Sequence, residues 1–176
     1  MNRKETLHSE LAESRETLLT AIDTLAADEW DRPTSNPAWT AREILVHVTQ
    51  AGTGLLGRMR RFLEGSSALP PGFDLNVWNT RQVAKQRNAE VATLVASLTD
   101  SRRDTLTFLD ELTDEQLDIR GWHASGQEMS LTEMFEIMAW HESAHARDML
   151  TARTGAGGRI QNPEYRIQRR EMGSSS

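Results

Sequence analysis

The stretch Met138-Ala139-Trp140-His141-Glu142-Ser143-Ala144-His145-Ala146-Arg147-Asp148-Met149 decides the fold, because it sets two histidines four residues apart on one helix face. Working outward, Leu131, Met134, Met138, His141, His145 and Met149 recur at intervals of three and four. Both imidazoles therefore fall on the apolar stripe that a helix turns toward its core. Glu142 points away from the pair. Asp148, one turn beyond His145, has the spacing of a carboxylate that orients an imidazole, although an exposed charge is the commoner fate of such a residue.

Ser130 and Glu133 have capping-box spacing, with Met129 and Met134 placed as a hydrophobic staple. The helix so begun ends near Arg153, ahead of Gly155, Gly157 and Gly158. The same start signal occurs at Thr40 and Glu43, between Trp39 and Ile44. From there Ile44, Val48, Ala51, Leu55, Met59 and Phe62 form a stripe, and His47 lies beside Ile44 and Val48, so a third histidine faces inward. Gly52, Gly54 and Gly57 each cost roughly 1 kcal/mol relative to Ala in such a helix. They either permit close packing or a kink beside a pocket, or are simply tolerated.

The remaining chain supplies two more long helices. Leu7, Leu11, Leu18, Ile22 and Leu25 mark one over 3–27, stopped by the turn formers of 28–38. After a loop over 65–73, a short polar helix over 74–87 carries Trp78, Arg81 and Lys85. Asn88 is placed to cap a helix over 89–112. Residues 113–129 read as one helical turn, at 114–117, and then an irregular connection holding Trp122, His123 and Gly126 that could cover a site. Four helices of about 36 Å each predict an all-α four-helix bundle, with a short additional helix between the second and third. Residues 1–155 form this one domain and 156–176 a polar C-terminal tail. The connections are too long to set the order of packing.

Composition narrows the function. The 176 residues carry 20 Lys and Arg against 26 Asp and Glu, a net charge of −6, which argues against a nucleic-acid partner. There is no cysteine, so thiolate ligands, disulfides and cysteine nucleophiles are excluded. No signal-peptide core and no membrane-length apolar run is present, so a cytoplasmic protein without a membrane partner is expected.

Three inward histidines from two helices suit a divalent metal such as Zn, Ni, Fe or Co held between them. Three protein ligands leave positions open for water, a thiolate or a carboxylate, as in catalytic sites. A lone HxxxH is more often part of a hydrogen-bonded core, and it is His47 that strengthens the metal reading. His47 lies about 10 Å along its helix and His141 and His145 about 16 and 22 Å along theirs, so parallel helices would have to be staggered. His8 and His123 read as solvated surface residues, although His123 could reach the site from a folded-over connection.

The run Trp39-Thr40-Ala41-Arg42-Glu43-Ile44-Leu45-Val46-His47, together with His141 and His145, resembles the DinB-like superfamily of metal-binding four-helix bundles. The resemblance covers residues 3–153, and it implies His47, His141 and His145 as ligands of a divalent transition metal, Zn or Ni foremost. It also implies a homodimer acting on a small-molecule substrate. Members of the family include transferases that use low-molecular-weight thiols such as bacillithiol or mycothiol, and a mycothiol-dependent maleylpyruvate isomerase. Under that reading Trp78, Arg81 and Lys85 would contact substrate or cofactor, where a solvated polar helix is the plainer alternative. A metal-dependent hydrolase, or a noncatalytic stress protein binding metal or a small ligand, are the rival functions. Hydrolysis would call for a carboxylate base facing the site, and the sequence presents no convincing one.

Overall fold

A computed structural model describes residues 2–36 and 38–154 of the chain. The tail read at 156–176 lies outside the described residues. The helices are α1 (Arg3–Thr24), α2 (Ala41–Leu63), α3 (Leu75–Gln86), α4 (Val91–Glu111) and α5 (Leu131–Leu150). Both capping boxes form as their spacing predicts: the Thr40 side chain accepts from the Glu43 N–H, Ser130 from the Glu133 N–H, and each glutamate returns a bond to its cap. Asn2 and Glu5 make a third such box at the start of α1.

Two boundaries differ from expectation. Helix α1 stops three residues early, where extended backbone at Leu25 turns that side chain into the core. Helix α4 begins at Val91 with Glu90, not Asn88, in the cap position and without a side-chain cap bond. Helix α2 continues through its three glycines. Gly52 has Ser101 Oγ at 3.6 Å from where a Cβ would stand, while Gly54 and Gly57 face open space.

Helix α5 packs against α1 and α2, and α4 packs mainly against α2 and more thinly against α1. Consecutive helices α1 and α2 thus lie diagonally across the bundle. Its core has two apolar ends. One joins Leu18 and Ile22, Ile44 and Val48, Leu94 and Leu98, and Ala146 and Met149. The other joins Leu7 and Leu11, Met59 and Phe62, Phe108 and Leu109, and Met134 and Phe135. From these groupings α1 and α5 run in one direction and α2 and α4 in the other.

Between the two ends lies a buried polar layer. On one side of α5 it holds His47, His141 and His145. On the other, Glu142 takes 2.7 Å and 2.6 Å ion pairs from Arg15 of α1 and Arg102 of α4.

The connection over 113–129 is more ordered than its sequence suggests. A 3-10 turn at Gln116–Asp118 leads into an antiparallel hairpin, β1 (Arg120–Trp122) with β2 (Glu128–Ser130), pairing Gly121 with Met129. The hairpin lies against the end of α2: a Cβ on Gly121 would come within 2.5 Å of the Phe62 ring, so only glycine allows this approach.

Candidate metal centre and pocket

Helix α2 delivers His47 and α5 delivers His141 and His145 to one place, all three buried. Because α2 runs antiparallel to α5, the early position of His47 on its helix meets the late positions of His141 and His145, and no stagger is needed. One nitrogen of each ring can be chosen so that all three lie within 4.8 Å of one another. The Nε2 atoms of His47 and His141 are 3.0 Å apart. Trp39 tilts against His47 with ring centroids 4.6 Å apart, closing one side.

Burial, reinforced by nearby His145, holds the His47 imidazole well below the usual histidine range. His141 is lowered chiefly by burial too, with His145, His47 and His123 adding to the effect. Both rings are neutral at physiological pH, the form that ligates metal.

The donor set fits a metal ion on an independent observation. Both ring nitrogens of His145 are buried without a hydrogen-bond partner. An unsatisfied buried polar atom costs about 1–3 kcal/mol, and a metal ion held by these residues would remove that cost at one nitrogen. At the other, His145 Nδ1 lies 3.2 Å from Asp148 Oδ2, within ion-pair range but without hydrogen-bond alignment. Asp148 is buried, contrary to its expected exposure, because the 34–36 segment covers it: Ser35 Oγ donates to Asp148 Oδ1 at 3.1 Å. Such carboxylates fix the orientation of ligand imidazoles.

A pocket of about 620 Å³ opens beside the centre, with His47 and His141 in its wall. Its other walls come from α2, the 66–73 loop, α3, the hairpin turn and α5. Trp78 lines it, whereas Arg81 and Lys85 are not among its lining residues, although exposed Lys85 donates to Oε1 of the lining residue Gln82. Gly54 faces the cavity, so the absent side chain leaves room there.

Two lining residues are not among those the sequence assigns to the site. Arg58 is buried, and its Nη1 donates to the carbonyls of Ser67 and Trp122 at 2.9 Å each, tying both loops to α2. His123 is buried in the wall, not solvated as its loop position suggests. A histidine three residues before a turn glycine carries no signal of that burial. By contrast His8 pairs with Asp110 at 2.7 Å on a partly exposed surface.

A model of the DinB superfamily matches residues 10–149. A protein of Oceanobacillus iheyensis named "Putative metal-dependent hydrolase" is 23% identical over 137 residues, 78% of each chain. Among solved structures, YfiT from Bacillus subtilis, described as a probable metal-dependent hydrolase with an unusual four-helix bundle topology, superposes with a TM-score of 0.72. It is 21% identical, with 86% of this chain and 87% of that one covered. An uncharacterised protein of Escherichia coli UTI89 superposes with a TM-score of 0.70 at 12% identity, covering 89% and 96%. At these identities the two structures establish the fold alone. None of the described helices is long and apolar enough to cross a membrane.

Proposed function

Since the chain belongs to the DinB superfamily, we propose that it is a metal-dependent enzyme whose divalent transition metal, Zn or Ni, is held by His47, His141 and His145. The observation that carries this reading is the convergence of three buried imidazoles, one with both nitrogens unpartnered, beside an open pocket. When bound, such a metal supplies Lewis acidity and lowers the pKa of a coordinated thiol or water.

The reaction we favour is transfer of a low-molecular-weight thiol, such as bacillithiol or mycothiol, to a small electrophile. None of the described residues lining the pocket is acidic. A thiol ionises far more readily than water, so it needs a base less. The pocket wall carries Arg58 and Arg61, whose charge favours an anionic reactant, while Phe73, Trp78 and Trp140 suit an apolar one. Hydrolysis is the second reading, supported by the names of the two relatives above. The resemblance also brings a cytoplasmic homodimer into this proposal, which light scattering at micromolar concentration tests.

Elemental analysis of protein purified without chelators, beside His145→Ala, is the deciding experiment. Close to one transition metal per chain in the wild type and its loss in the variant are expected. Protein that stays metal-free after challenge with Zn, Ni, Fe, Co and Mn refutes the proposal. Turnover of an electrophile that needs both metal and added thiol separates transfer from hydrolysis, which proceeds without thiol.

A further inference from the structure

His123 is outside the three-histidine set, yet it lines the same pocket and is 9% exposed. The hairpin turn holds it there. The His123 N–H donates to the Gln127 carbonyl at 2.8 Å and the Gly126 N–H to the His123 carbonyl at 3.0 Å, a closure that requires the positive φ of 87° at Gly126.

The side chain is anchored through one nitrogen only. The Ser125 backbone N–H donates to His123 Nδ1 at 3.1 Å, and Ser125 Oγ lies 2.8 Å from the same atom. A backbone N–H can only donate, so Nδ1 is the acceptor and the neutral ring carries its proton on Nε2. No hydrogen bond to Nε2 is made among the described residues, which leaves this donor available to a molecule in the pocket that His123 lines. Burial, and then the charge of Arg58, push the imidazole down to about 4, so the ring stays a neutral donor at physiological pH. The pocket's exposed lining is largely apolar, and Phe73, Trp78 and Trp140 line it with aromatic surfaces.

We propose that His123 is the pocket's ligand-orienting donor: its Nε2–H takes the carbonyl or carboxylate oxygen of a small ligand whose aromatic or apolar body lies among Phe73, Trp78 and Trp140. The assignment rests on the pocket being the substrate site and is independent of which metal the three histidines hold. It gives the site a polar contact that sets which end of an otherwise apolar molecule faces the metal centre.

The test uses full-length protein and two probes, benzamide and benzoate. Multiple-bond proton–nitrogen spectra of histidine-labelled wild type should show His123 as the Nε2–H tautomer and a shift of its Nε2 signal on adding either probe. Affinity should fall about tenfold in His123→Phe, the value of one hydrogen bond of about 1.4 kcal/mol, and change less than about threefold in His123→Gln, which restores a donor. An Nδ1–H tautomer, no Nε2 shift with either probe, or equal affinity in His123→Phe overturns the proposal. If His123→Phe does not fold, the wild-type spectra decide. A wild type that takes up no metal yet shows the tautomer and the shifts refutes the metal reading alone.

Discussion

His145 Nδ1 lies 3.2 Å from Asp148 Oδ2, and the other oxygen of Asp148 receives the Ser35 hydroxyl at 3.1 Å. The segment between α1 and α2 is thereby coupled to the candidate metal centre through one carboxylate. Asp148→Asn keeps the shape and removes the negative charge beside His145 Nδ1. Metal affinity, measured by competition with a chromophoric chelator, should weaken about 10- to 100-fold with helix content unchanged. An unchanged affinity would show that the carboxylate serves only the fold.

Glu142 is the sole described acidic partner of two guanidinium groups, the buried one of Arg102 and the partly buried one of Arg15, and Ser14 Oγ also donates to it at 3.3 Å. Burial already lowers the Arg102 pKa, so this cation depends on its carboxylate. Glu142→Ala leaves both charges uncompensated and should cost about 3–5 kcal/mol in urea unfolding. A loss below about 1 kcal/mol would mean that water reaches the cluster.

Protonation should destabilise the metal-free protein from the acid side. Unfolded histidine titrates near 6.5, whereas His123 titrates at about 4 and His47 and His141 lie well below the usual value. The unfolded chain therefore binds protons first, so stability is full above about pH 6.5 and falls as pH drops toward 4, by up to about 1.4 kcal/mol per unit for each ring. Urea midpoints between pH 7.5 and 4.5 test this, and a flat profile contradicts it. Metal affinity should decline in the same direction, since the ligands must be neutral.

Gly121→Ala should destabilise by about 1–3 kcal/mol, because the new Cβ would stand 2.5 Å from the Phe62 ring and must displace either the ring or the hairpin. Hydrogen exchange in the 120–130 segment should rise more than in α1. Equal changes in both would place the strain elsewhere.

The hairpin and His123 were opaque in the sequence for a common reason. Strands of three residues are too short to show a period, and the ring's surroundings include Arg58 of α2, distant in the chain. Asp148 was hidden in the same way, because its cover is the 34–36 segment. Trp78 on the pocket wall, with Arg81 and Lys85 outside it, reflects where α3 sits over α2, which local composition does not encode.

Helix identity, the capping boxes at Thr40 and Ser130, and the inward face of His47, His141 and His145 follow from sequence, because each depends on spacings of three and four residues within one helix. The antiparallel meeting of α2 and α5, the diagonal placement of α1 and α2, and the division of the polar layer into a histidine side and an Arg15–Glu142–Arg102 side were decided only by the tertiary structure. Those relationships arise from packing between elements joined by long connections, and such connections leave neighbour and direction free until the apolar faces close on one another.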